Sequence, residues 1–180
     1  MLRVKIKKII TETELSTLIK IFPFLFALHE FEEWNILSWH QKYQSNIPDV
    51  TDWHLRIIFI LFTGIVFAIF YFANKLRNRN ITAYIVVPVL FLLLYNGSVH
   101  FYWSIKYVTY SPGLIFGFFL SVPVILIMIY KIMSQKMISK LYAVLCGTIC
   151  TALFIHVIIL GDKLEQGIIN AMLLGKMLLG

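Results

Sequence analysis

The chain has 180 residues, 59% of them hydrophobic and 14% charged, with a formal net charge of +7. A soluble domain needs about 25% charged residues to clothe its surface. The composition therefore excludes a water-soluble globule and points to a single integral membrane domain, residues 1–180. The basic residues fall in short clusters between apolar runs, which excludes a nucleic-acid surface and makes them topology signals.

The first seventeen residues read as a basic, partly amphipathic lead-in, with Arg3, Lys5, Lys7 and Lys8 followed by Glu12 and Glu14, and without the pattern of a cleaved signal peptide. Five apolar runs follow at 18–37, 55–73, 81–102, 114–130 and 141–160. Each is close to the roughly 20 residues that a helix needs to cross a bilayer. Continuous apolar runs suit helices rather than the alternating strands of a barrel, and a helix satisfies its own backbone in lipid. The expected fold is all-α, a polytopic helical membrane bundle of about five transmembrane helices. Pro23, Pro88 and Pro123 lie within spans, where they loosen backbone pairing and kink a helix. Cys146 and Cys150, four apart in the last run, match neither a Cys-x-x-Cys metal site nor a disulfide framework and read as small buried thiols. The tail is apolar at 168–174 and 177–179, stretches too short to span, and Lys176 interrupts it. It reads as an interfacial or re-entrant helix packed on the bundle.

Lys and Arg set the orientation. Arg3, Lys5, Lys7 and Lys8 precede the first run, Lys75, Arg77 and Arg79 follow the second, and Lys131, Lys136 and Lys140 separate the fourth from the fifth. These ends are expected in the cytoplasm. The opposite loops hold Lys42, Arg56 and Lys106 among Trp39, Trp53, Trp103, Tyr107 and Tyr110, an aromatic belt for the outer interface. The N-terminus is then inside and the C-terminus outside.

The candidate site starts from His29-Glu30-Phe31-Glu32-Glu33, four ionisable side chains within the first span. Each charge near a bilayer centre costs about 2.5–3.5 kcal/mol, so these groups require partners, protons, water or a metal. Helical spacing puts His29 on one face with Glu32 and Glu33 and rotates Glu30 away by about 100°, leaving Glu30 between a structural and a site role. In the third span Asn96 lies one turn below His100, where it can orient an imidazole or a polar substrate group. With the odd-numbered spans running outward, His29, His100 and His156 all fall in the outer half of the bilayer. His40 and His54 flank the outer loop and read as interfacial histidines.

Imidazole and carboxylate groups that converge from separate helices can bind a divalent metal. His29, Glu33, His100 and His156 are the candidate ligands, for zinc or another divalent ion, and a second glutamate could serve as general base. Without a metal the same groups make a His–Glu proton-transfer pair. They can also act only as hydrogen-bonding glue between helices. His29-Glu30 begins like the zinc-protease pattern His-Glu-x-x-His, but Glu33 stands where the second histidine belongs, which argues against a metalloprotease. There is no Gly-x-Ser-x-Gly elbow and no phosphate-cradling glycine loop.

Taken together, His29-x-x-Glu32-Glu33-Trp34, Asn96-x-x-x-His100 and Tyr110-Ser111-Pro112-Gly113 resemble the bacterial membrane proteins named for a His-x-x-Glu-Glu motif, over about residues 20–160. The resemblance implies a multi-pass architecture in the bacterial cytoplasmic membrane and a site of His29, Glu32, Glu33, Asn96 and His100. It does not imply a reaction. Pro112-Gly113 also has a structural reading as the turn that opens the fourth helix.

The leading expectation is an enzyme acting near the outer leaflet on a membrane lipid or lipid-linked substrate, by hydrolysis or acyl transfer, with His29, Glu32, Glu33, His100 and Asn96 as its catalytic set. A proton-coupled transporter or channel is the second reading, since intramembrane His and Glu also make proton relays. A noncatalytic accessory or immunity protein is the third.

Overall fold

Helix α1, Leu15–Glu32, carries Pro23 and stops at the charged run, and the short α2, Ile36–Tyr43, restarts the chain after a turn. The computed structural model describes residues 14–43, 51–159, 170 and 173–178, and among these all regular structure is helical. Further helices are α3, Asp52–Lys75, and α4, Arg79–Lys106. A π-helical segment, Leu114–Ser121, then runs without a break into α5, Val122–Ser134, and α6 covers Lys140–Ile159. Most of the basic lead-in, the first part of the tail and the side chain of His156 lie outside the described residues.

Three of these helices are long and apolar enough to cross a membrane: α3, α4 and the continuous Leu114–Ser134 unit. The expected uninterrupted first span at 18–37 is corrected. The helix ends at Glu32 because Glu33 takes a non-helical ψ of 2°, and the Ile36 amide then closes the turn on the Glu33 carbonyl at 2.8 Å. At 18 residues, α1 is about 27 Å long. It packs against α3, α5 and the π-helical segment. Its polar end is therefore surrounded by protein, which is what lets charged residues persist there.

Local chemistry accounts for the other boundaries. Asn78 caps α4, its Oδ1 accepting from the Asn80 and Ile81 amides at 3.0 and 3.2 Å. α4 and α5 both close with a residue in the left-handed region, Val108 and Lys136. In each case two amide bonds reach back to the last carbonyls, Thr109 to Ser104 and Val108 to Ile105, Met137 to Ile132 and Lys136 to Met133. The widened π geometry suits its sequence: Pro123 just beyond it lacks an N–H, and Ser121 Oγ donates to the Phe116 carbonyl five residues back at 2.6 Å.

Two apolar clusters fill the bundle. The larger joins Phe22, Phe26, Phe70, Val86, Leu90, Ile125 and Met128, with Phe22 and Phe70 stacked at 5.3 Å. The smaller joins Ile36, Leu37, Trp39, Leu55, Val99 and Trp103. Outward-facing Phe24, Leu28, Phe31, Phe62, Ile65 and Phe72 stay exposed, a surface suited to lipid rather than water. α6 packs on α4, where Cys150 Sγ donates to the Phe91 carbonyl at 2.8 Å, and both cysteines are free thiols as expected. Residues 173–178 of the tail are helical, and Gly175 abuts the backbone of His54 so closely that a β-carbon there would overlap the His54 carbonyl. At least this part of the tail is a helix packed on the bundle.

Candidate functional site

His29 and Glu33, one helical turn apart, meet His100 from α4 between the two apolar clusters. Glu33 Oε1 lies 3.0 Å from His29 Nε2 and 2.9 Å from His100 Nε2. The imidazoles are nearly perpendicular, with centroids 5.0 Å apart, and each histidine is only 2% exposed. Phe26 on one side and Trp103 on the other pack against them, so the polar groups sit in a low-dielectric setting.

Asn96 bridges the pair. Its Nδ2 donates to His29 Nε2 at 3.2 Å, and its Oδ1 accepts from His100 Nε2 at 3.1 Å. A nitrogen that accepts from an amide presents its lone pair, so His29 Nε2 and Glu33 Oε1 are two acceptors facing one another at 3.0 Å. Turning the amide over only exchanges the histidines. Glu33 Oε1 is buried and makes no well-angled hydrogen bond. Two such acceptors repel unless a cation lies between them, either a proton or a metal ion. His29, Glu33 and His100 each offer one ligand atom, and these atoms could hold a metal ion. Their spacing approaches the roughly 3.3 Å that separates ligands around tetrahedral zinc.

The third wall is made of glycine. Gly113, at φ 90°, begins the π-helical segment, and a β-carbon there would fall 2.6 Å from His100 Cε1 and 2.7 Å from Glu33 Oε1. A β-carbon on Gly117 would fall 2.6 Å from His29 Nδ1, and one on Gly97 would overlap the Gly117 carbonyl. Beside them the fully buried Ser111 hydroxyl lies 3.4 Å from His100 Nδ1. The expected turn at Pro112-Gly113 is therefore also a wall of the site. The spacing Gly113-x-x-x-Gly117, small residues on one helix face, is the sequence signal that could have found it.

Glu32 is a correction. Helical spacing alone puts it on the His29 face, but its carboxylate turns to the next element, accepting from the Ile115 and Phe116 amides at 3.0 and 2.8 Å and from the Tyr110 hydroxyl. Gly113 stands at the N-cap without a side chain, so Glu32 caps the π-helical segment from another helix. Burial and the Glu32 carboxylate both push the Tyr110 phenol far above its usual range, so it stays a donor. Glu32 thus positions the glycine wall and is not part of the His–Glu cluster.

His40 is a second correction. It is buried, only 4% exposed, its ring edge-on to Trp103 at 5.4 Å. It lines, with Glu33, Asn96 and His100, a cavity of about 210 Å³ whose other walls include Ile36, Phe59, Tyr95 and Trp103. His54 lies at the start of α3, its Nδ1 accepting from the Thr51 amide at 2.9 Å. Glu30, turned away from the His29 face, is buried in a mainly apolar cavity with Phe31, Trp34, Phe59 and Thr63. The structure thus brings together His29, Glu33, Asn96 and His100 of the expected set, leaves Glu32 outside it, and says nothing of the His156 side chain.

Comparison with known proteins bears on this cluster directly. The chain matches, over residues 20–128, the family described as protein of unknown function with HXXEE motif, and it belongs to that family. No curated protein and no solved structure matches it.

Proposed function

We propose that this member of the HXXEE-motif family is a membrane-embedded enzyme with a His/Glu metal centre, acting on a lipid or lipid-linked substrate by hydrolysis or acyl transfer. The observation that carries the reading is the convergence of two buried imidazole nitrogens on Glu33 Oε1, within 3.0 Å, where the acceptors demand a shared cation. His29, Glu33 and His100 would hold the ion, and two histidines with one carboxylate suit zinc. A bound divalent ion lowers the pKa of its water to about 7 and polarises an ester carbonyl.

The chain's own residues supply the rest. Asn96 holds both imidazoles through the Nε2 atoms that would ligate the ion, so its two hydrogen bonds would give way to the ion on binding, and Ser111 stands behind His100. His40 faces the cavity beside Glu33 and is the group placed to exchange a proton with a substrate there. Ile36, Phe59, Tyr95 and Trp103 give that cavity the apolar lining an acyl or prenyl group requires. In this reading the chain crosses a bacterial cytoplasmic membrane five times with its N-terminus inside, the orientation its basic clusters favour, so that the cluster lies just below the outer headgroups. α1 and α6 then cross as spans shielded partly by their neighbours.

Metal analysis of the purified chain tests the centre. One divalent ion per chain is expected, lost in His29→Ala and in Glu33→Ala. Active wild-type protein without stoichiometric metal would remove the metal reading. Mass spectrometry of total lipids and lipoproteins from deletion and overexpression strains tests the reaction, and an unchanged profile in both strains would sink it. A transporter is distinguished by pH-dependent flux in proteoliposomes that Glu33→Gln abolishes.

A further inference from the structure

At the other end of the bundle α1 begins, α3 ends, α4 begins and α5 ends around a cavity of about 470 Å³. Along α4 it lies about 30 Å from His100, since Arg79 and His100 are twenty-one residues apart. Its lining includes Glu14, Ser16, Asn74, Arg79, Lys131 and Gln135.

Lys131 is the residue that requires explanation. It is 7% exposed, in the last turn of α5, where a lysine ordinarily extends its ammonium outward into water. Here it lies along the cavity. Among the described residues no carboxylate is within ion-pair distance of it. Glu14, the acid on the rim, is exposed and accepts instead from Ser16 Oγ at 3.0 Å. The Lys131 stem is covered by protein while its ammonium is left to the solvent of the cavity, where it offers a confined positive charge to an anion. Arg79 stands at the mouth, one of its terminal nitrogens donating to Gln135 Oε1 at 2.6 Å, which steadies the guanidinium and leaves most of its donors available. α1 starts at the same cavity, and its N-cap residue Glu14 makes no side-chain bond to its first amides, an end that favours negative charge.

We propose that this cavity binds a phosphate group, with Lys131 as the buried counter-charge and Arg79 as the fork at the mouth. A point-charge ammonium beside a planar guanidinium is the pairing that phosphate oxygens use. The volume falls within the roughly 300–1,000 Å³ of small-molecule sites, enough for a phosphate with its glycerol or similar polar group. The bearer is an anionic phospholipid headgroup or a soluble phosphate monoester. This inference does not depend on the metal centre.

The full-length chain in neutral detergent is titrated with dihexanoyl phosphatidic acid, with dihexanoyl phosphatidylcholine as control, and binding is read by thermal shift and native mass spectrometry. Saturable binding of the phosphatidic acid alone is expected. Lys131→Met should weaken it about tenfold or more, the worth of one charge-assisted contact, and Lys131→Arg should restore most of it. Arg79→Gln, an exposed change, serves as the second variant and should also weaken binding should Lys131→Met not fold. Competition by glycerol 3-phosphate and inorganic phosphate assigns the site to a soluble ligand, and lack of competition assigns it to a lipid headgroup. No binding, or unchanged affinity in both Lys131→Met and Arg79→Gln, would overturn the proposal. So would a Lys131→Met variant that is merely less stable, because Lys131 would then serve only the last carbonyls of α5.

Discussion

The two polar regions of this bundle meet the cost of burial in opposite ways. Near the C-terminal end of α1, His29, Glu33, Asn96 and His100 satisfy one another across two helices, and three glycines bring the backbone so close that no space is left for a side chain at those positions. At the other end Lys131 lines a cavity and, among the described residues, has no carboxylate within ion-pair distance. The first region is specified by its own residues and opens onto the smaller cavity beside Glu33, and its remaining need is a small cation between acceptors. The second is open and unbalanced, and its need is an anion from outside the chain. The lesson is that buried charge points to a ligand most strongly where the protein has left both a deficit and room.

The contrast predicts that changes at one end leave the other untouched. The largest effect is expected for Glu33→Ala, which removes the oxygen shared by both histidines. Metal affinity should fall by more than about a hundredfold, since even outer-shell partners are worth 10–100-fold. Chelator competition on purified protein measures it, and phosphatidic acid binding should stay at the wild-type value. Retained metal in this variant would break the comparison.

Gly113→Ala should come next. It places a side chain at φ 90° and against His100 and Glu33, costing about 2 kcal/mol or more from backbone strain and overpacking. Thermal unfolding in detergent reads the loss, and metal binding should fall with it. An unperturbed variant would show that the wall is looser than described.

Glu32→Gln separates capping from ligation. Weakening the bonds to the Ile115 and Phe116 amides should cost about 1 kcal/mol, while metal stoichiometry is kept. Tyr110 adds a pH signature of the same contact. Because its phenol is pushed up in the folded chain, its contribution is fully present below the ordinary tyrosine pKa of about 10 and fades as pH rises beyond it. Unfolding midpoints of wild type and Tyr110→Phe should therefore converge only in strong alkali. Convergence near neutral pH would contradict the contact.

Smallest is Val108→Gly, remote from both regions. A β-branched residue at φ 49° closes α4, and glycine should raise stability by about 1 kcal/mol in the same thermal assay. A loss of stability would mean that Val108, almost wholly exposed, makes a contact that matters.

Much of the site was legible because it rests on helical spacing. His29 with Glu33, and Asn96 with His100, are each four apart, and that geometry survives in the fold. Glu32 shows the limit. Three residues from His29 it shares a nominal face, but the helix ends there, and its carboxylate answers the uncapped amides of an element more than eighty residues away. His40 was missed for a related reason. Read as part of an extended outer loop it belongs to the interface, but α2 folds inward and buries the stripe Ile36, Leu37, Trp39 and His40 against Trp103. Lys131 read as a topology signal and nothing more, because spacing cannot reveal a cavity.

What the sequence by itself determined is the helical class, the apolar surface and the residues able to carry chemistry, since all three follow from local composition and the 3.6-residue period. Which of those residues meet, which glutamate caps and which one joins the histidines, and where a lysine lies buried beside an empty volume were decided by tertiary packing alone. Those outcomes depend on distances between segments remote in the chain, and no local pattern encodes such distances.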